Sequence, residues 1–180
     1  DHHDRVLGAA ARMNGMIDAL LALSKLSSQP LARQPVNLSQ LATYVADDLR
    51  RQWPDRQVTL TIEPGLLTVG DPTLLRVLLE NLLSNAWKYT GKNPDAHIWL
   101  ERRTGAPDGF TVRDDGAGFD MRFSERLFGV FQRLHSANDF PGTGVGLASV
   151  QRIVRRHGGT IWGEAEVNRG ARFHFSLPAG

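Results

Sequence analysis

Between Leu74 and Tyr89 the chain carries a helical pattern that is too apolar for a surface helix and too polar for a uniform core. Leu74, Leu75, Val77, Leu78, Leu79, Leu82, Leu83 and Ala86 recur at helical spacing, a density that predicts a helix packed against a sheet. Asn81 and Asn85 are four apart and share one face, bordered by Glu80, Ser84 and Lys88. Two carboxamides so placed suit a hydrated metal-phosphate, because each oxygen can ligate or accept and each NH2 can donate. They suit a polar seam facing water equally well, and this stretch alone does not separate the two.

The surrounding pattern defines the fold class. Leu38 to Arg51 predicts an amphipathic helix, with Asn37 or Ser39 as its cap and Trp53-Pro54-Asp55 closing it. Val58 to Ile62 alternates as a strand does, Pro64-Gly65 turns the chain, and Leu66 to Val69 forms a second short strand. Asp71 caps the central helix, with Pro72 in its first turn. Strands follow at Ala96 to Arg103 and Phe110 to Arg113, then irregular chain from Asp114 to about Gly146. A helix over Leu147 to His157 ends at Gly158-Gly159. Thr160 to Glu164 and Ala171 to Leu177 form a closing hairpin around Asn168-Arg169-Gly170. This order predicts an α+β fold, one layer of mixed sheet covered on one face by helices.

Residues 2–28 have a separate helical stripe of Val6, Leu7, Ala10, Met13, Ile17, Leu20, Leu21 and Leu26. A lone helix with such a stripe needs a partner: a second helix, another copy, or the following domain. Ser27-Ser28-Gln29-Pro30 ends it. The expected organisation is a helical piece over 1–28, a linker over 29–35 and a main domain over 36–180. The chain starts within a helical pattern and without an initiator methionine, as a fragment of a longer protein would. Composition narrows the classes further. A net charge of +2 is too small to imply nucleic acid or direct membrane contact. The absence of cysteine excludes disulfide and thiol chemistry.

Two glycine clusters bear on chemistry. Asp114-Asp115-Gly116-Ala117-Gly118 follows a strand directly, and its glycines permit a tight path and close backbone approach to a ligand. A plain Asp-Gly turn is the other reading. Gly142-Thr143-Gly144-Val145-Gly146-Leu147 precedes the last long helix. It lacks the context of a dinucleotide loop and the Lys-Ser/Thr pair of a phosphate loop. Its exposed N–H groups and the unpaired donors of the helix start nonetheless suit phosphate. Between the clusters, Phe119 to Pro141 carries Phe123, Leu127, Phe128 and Phe131, an aromatic content that suits a lid docking part of the time.

With these pieces in order, residues 36–180 resemble the catalytic ATP-binding domain of sensor histidine kinases, in the wider ATPase family that includes gyrase, the Hsp90 chaperones and MutL. The resemblance implies the Bergerat-type fold. It implies Asn85 as a Mg2+ ligand, Asn81 beside the phosphates, and Lys88 and Tyr89 near phosphates and nucleoside. Asp114 matches the carboxylate that accepts from the adenine amino group, with Gly116 and Gly118 in its loop. Asp115 stands where asparagine is common, a change expected to be tolerated. Phe128 and Phe131 match lid anchors, Arg133 a phosphate-side contact from the lid, and Gly142, Thr143, Gly144, Val145, Gly146 and Leu147 the loop that wraps the phosphates. Phe131-Gln132-Arg133-Leu134-His135 looks like kinases with phytochrome or other PAS/GAF-type sensors. Residues 1–28 look like the second helix of the dimerisation and phosphotransfer hairpin. His3-Asp4 lacks the proline expected after a phosphoacceptor, and neither His2 nor His3 is placed for that role.

The resemblance implies ATP and Mg2+ as cofactors and a bacterial, cytoplasmic setting. It implies a homodimer in the full-length protein, an upstream sensor domain and a response-regulator receiver domain as partner. The fragment would bind nucleotide and hydrolyse it slowly at most, without autophosphorylation. Two alternatives stay open: an ATPase of the gyrase or chaperone kind using Glu80 on a water, and a non-catalytic nucleotide-binding scaffold module.

Overall fold

A computed structural model describes residues 30–122, 127–128 and 146–178, together with Ile17, Leu21, Ser24, Lys25 and Ser28 of the N-terminal segment. Those five residues are helical, and Ile17 and Leu21 are exposed. The rest of the N-terminal stripe, with His2 and His3, lies outside the described residues.

Strand β1 (Gln34–Asn37) leads into helix α1 (Leu38–Gln52). The Asn37 side chain caps α1 by accepting from the Gln40 N–H at 3.1 Å. Ser39, the other candidate cap, donates instead to the Glu63 carbonyl at 2.6 Å and accepts from the Leu66 N–H at 3.0 Å. It thereby fixes α1 to the turn after strand β2 (Val58–Ile62). Strand β3 (Leu67–Gly70) pairs antiparallel with β1 in a separate two-stranded sheet. Helix α2 (Pro72–Tyr89), strands β4 (Ala96–Arg103) and β5 (Gly109–Asp114), helix α3 (Gly146–Arg156) and strands β6 (Ile161–Ala165) and β7 (Ala171–Phe175) complete the described elements.

The main sheet has the order β2-β4-β5-β7-β6. β2 runs parallel to β4 across the α2 crossover, and the other pairs are antiparallel. Register decides which side chains meet the helices. Leu60 lies opposite Ile98, Leu100 opposite Val112, and Val112 opposite Phe173. These residues, with Phe110 and Phe175, meet Leu74, Leu75, Leu78, Leu79, Leu82 and Leu83 of α2 and Val150, Ile153 and Val154 of α3 in one core. The dense apolar run of α2 follows from this placement, since α1, α3 and the sheet all press on it. The opposite sheet face carries Arg113 stacked 3.9 Å over the Trp99 ring and Arg103 4.8 Å over Trp162. No helix among the described residues is long and apolar enough to cross a membrane.

Candidate functional site

Helix α2 is pinned at both ends, and this aims its asparagine face. At the start, Asp71 Oδ1 accepts from the Thr73 and Leu74 N–H groups at 3.0 and 3.1 Å. The Asp71 N–H donates to His157 Nε2 at 3.0 Å, and His157 Nδ1 lies 2.7 Å from the Ile153 carbonyl. Since Nε2 accepts, the proton sits on Nδ1 and is donated to that carbonyl. The buried imidazole therefore joins the end of α3 to the start of α2. Gly70 leaves room for it, because a Cβ there would lie 2.9 Å from His157 Nε2. At the far end, Thr90 Oγ1 donates to the Ala86 carbonyl at 2.7 Å. Arg56 donates to the Trp87 carbonyl and, at 2.9 Å, to Thr90 Oγ1. A guanidinium against these last carbonyls complements the helix dipole.

On the face so oriented, Asn81 Nδ2 donates to the Val77 carbonyl at 2.8 Å, one turn back. Its Oδ1 faces the first residue of α3, and a Cβ on Gly146 would stand 3.0 Å from it. The glycine thus brings the N–H end of α3 against the carboxamide. Asn85, one turn on, is half-buried, and no described residue hydrogen-bonds its carboxamide. Lys88 and Tyr89 are half-buried at the end of the helix. Glu80 points elsewhere: it is exposed and pairs with Arg76 at 2.9 Å, which also reaches Asp48 of α1 at 2.9 Å.

Asp114 is the last residue of β5 and only 8% exposed. Burial pushes its carboxyl up to about 6, against the downward pull of the Gly116 and Ala171 N–H groups, with the neighbouring Asp115 charge adding to the rise. Oδ1 accepts from the Gly116 N–H at 2.8 Å. The glycines of this loop are required by protein backbone. A Cβ on Gly116 would overlap the Tyr89 carbonyl oxygen, which accepts from the Ala117 N–H at 3.0 Å. Gly118 has φ +65°, and a Cβ there would overlap the Glu166 carbonyl oxygen. The loop is therefore clamped between the end of α2 and the turn before β7, and Asp114 sits beside Tyr89. Asp115 faces away, taking the His97 N–H at 3.0 Å and lying 3.2 Å from His97 Nδ1. The Asn93 side chain holds its carbonyl at 2.7 Å. A carboxylate serves these contacts well, which explains how aspartate is accommodated here.

Part of the Phe119–Pro141 segment is described, and it packs on the sheet. Leu127 is buried, and the Phe128 ring meets Phe173 edge-on with centroids 6.4 Å apart. Gly163 makes room beneath, since a Cβ there would lie 2.8 Å from Leu127 Cδ1. Phe131, Arg133, Gly142, Thr143, Gly144 and Val145 lie outside the described residues. Gly146 and Leu147 open α3, and Leu147 is buried in the core rather than lining an open loop. Two groups of predicted site residues are thus brought together along α2: Asn81 with Gly146, and Tyr89 with Asp114 and Gly116. Sequence reasoning saw Asp71 only as a cap. It missed His157 and Arg56, whose one visible signal is a polar side chain next to a helix end or turn.

The fold and the site define an ATP-binding domain of the kind found in sensor histidine kinases. Residues 70–180 match the histidine kinase-, DNA gyrase B- and HSP90-like ATPase family, and the chain belongs to it. It is 36% identical to cyanobacterial phytochrome A of Nostoc sp. (strain PCC 7120 / SAG 25.82 / UTEX 2576) over 169 residues, 93% of this chain and 22% of that protein. It is 35% identical over 153 residues to the adaptive-response sensory kinase SasA of Thermosynechococcus vestitus (strain NIES-2133 / IAM M-273 / BP-1), 83% of this chain and 40% of that protein. The chain therefore spans well under half the length of these relatives. Among solved structures it resembles a mycobacterial sensor histidine kinase, MprB, with a TM-score of 0.68 and 27% identity over 81% of this chain and 97% of that one.

Proposed function

We propose that this chain is the part of a sensor histidine protein kinase that binds ATP with Mg2+ and presents the gamma-phosphate to a histidine on a dimerisation hairpin. The observation that carries this reading is the pair of contacts along α2. Asn81 meets the N-terminus of α3, a phosphate-binding end, while the Asp114–Gly116 loop meets Tyr89 about two helical turns, roughly 12 Å, along α2. A ligand with an anionic end and a planar amino-bearing end fits between them. Asp114, when ionised, accepts from the adenine amino group, and Lys88 and Tyr89 flank the nucleoside and phosphates; roles toward the phosphates for Gly142 to Gly146, Phe131 and Arg133 are carried over from the family resemblance.

The donor set also fits Mg2+. Among the described residues no group of three or more His, Asp or Glu could hold a metal alone. A hard cation here would take the Asn85 oxygen and complete its shell from phosphate oxygens and water, as Mg2+ commonly does. When bound it neutralises phosphate charge. The residue on the site face one turn before Asn85 is an amide, which cannot take a proton from water, and Glu80 is paired outward with Arg76. This favours transfer to an imidazole over steady ATP hydrolysis. In the complete protein the partners are a second copy, a sensor domain and the receiver domain of a response regulator.

Asn85→Ala separates the metal role from the rest, because alanine suits a helix interior. Wild-type affinity for ATP should rise about tenfold or more on adding Mg2+, near 1.4 kcal/mol. Calorimetric titration of the variant should show wild-type affinity without Mg2+ and little gain with it. An undiminished Mg2+ gain in Asn85→Ala would exclude this residue as the ligand.

A further inference from the structure

Asp71 does more than cap a helix. Capping uses Oδ1 alone, through Thr73 and Leu74, and asparagine or serine would serve as well. Its second oxygen, Oδ2, accepts from the N–H of Ala32 at 3.0 Å, a residue 39 positions upstream in the segment before β1. The carboxylate is only 7% exposed, and its own N–H is held by His157. Burial raises its pKa, but the N–H groups of Ala32, Leu74 and Thr73 outweigh that and hold it below the ordinary value, so it stays charged at neutral pH. Beside this contact, Leu31 packs against the core.

We propose that Asp71 is a clasp that fixes the chain to the nucleotide domain at Leu31–Ala32, upstream of β1, and so sets the tether to the N-terminal helix. With the clasp made, two residues, Gln29 and Pro30, separate helical Ser28 from Leu31. The three steps from Ser28 to Leu31 span at most about 11 Å. With the clasp released, the six steps from Ser28 to Gln34, the first residue of β1, reach about 21 Å. One side chain thereby controls how far the domain can stand from the helix, and it does so at the cap of α2. The clasp goes beyond the nucleotide reading and stands without it.

Limited trypsin digestion tests it at the Arg33–Gln34 bond, followed by mass spectrometry. Asp71→Asn keeps a capping oxygen and loses the acceptor for Ala32; Ala32→Pro removes the donor from the other side, leaves Asp71 in place and fixes φ at that position. Both variants should be cut at Arg33 about tenfold faster than wild type, and Ala32→Pro, which leaves the α2 cap untouched, should keep calorimetric ATP affinity within twofold of it. Unchanged cleavage in both, or faster cleavage in Asp71→Asn alone, would overturn the clasp. So would a loss of ATP affinity in step with cleavage in Ala32→Pro. If wild type itself bound no ATP while both variants were still cut faster, the clasp would stand and the proposed function would fall.

Discussion

Asp114→Asn should give a chain that is more stable than wild type and at least a hundredfold weaker for ATP. The two effects have one cause. The Asp114 carboxyl is buried at the end of β5 with its pKa raised to about 6. At pH 7 it is ionised in the folded chain at a cost, relative to the unfolded chain, of up to about 3 kcal/mol. An amide bears no charge and its oxygen can keep the bond from the Gly116 N–H, while the Ala171 N–H loses its acceptor, so the net gain in stability is smaller than that cost. Its NH2 would then face the adenine amino group donor to donor. The pH dependences run in opposite directions. Because the folded-state pKa is raised, the carboxyl contributes its full stability below the unfolded value, near 4, and loses it as pH rises through about 6. ATP binding needs the ionised acceptor and should weaken as pH falls below about 6. Urea unfolding and ATP titration between pH 5 and 8 check both limbs, and Asp114→Asn should flatten both.

Gly118→Ala should be among the most damaging single substitutions in the domain. Gly118 has φ +65°, a conformation that costs an alanine about 1 kcal/mol, and its Cβ would overlap the Glu166 carbonyl oxygen. That carbonyl belongs to backbone that cannot rotate aside as a side chain would. Nearby, the Asn168 N–H donates to the Ala117 carbonyl at 2.6 Å, so the turn before β7 and the Asp114 loop must shift together. A loss of about 3 kcal/mol is expected, lowering the melting temperature by roughly 6–12 °C in a chain of this size. Thermal unfolding followed by circular dichroism measures it. A change within 1 °C would mean that the loop is not clamped in this way.

The same glycines show where sequence reading reaches its limit. In the sequence, Gly116 and Gly118 predict close backbone approach to a ligand; in the fold the close approach is to the protein's own carbonyls at Tyr89 and Glu166. Local pattern was legible where it is repeated many times. The apolar period and the Asp71-Pro72 start define α2 from Pro72 to Tyr89, and alternation places β2 and β4 at Val58–Ile62 and Ala96–Arg103. Strand β1 was not legible, because Gln34-Pro35-Val36-Asn37 has no alternation to read and straddles the expected boundary between the linker over 29–35 and the domain from 36. Its pairing with β3 is set by the tertiary placement of both. His157 was hidden for a similar reason. Its partner Asp71 is 86 positions away, and nothing local requires an acceptor there. Glu80 and Asn81 are adjacent in sequence, yet helix geometry sends one to Arg76 and the other to Gly146.

Titration of the folded chain with ATP and with GTP, each with Mg2+, reads out whether Asp114 selects adenine. A site built on Asp114 predicts ATP binding with Kd below about 1 mM and GTP at least tenfold weaker, because guanine turns a carbonyl toward the carboxylate where adenine turns an amino group. Absence of ATP binding at millimolar concentration, or equal affinity for the two nucleotides, would contradict it.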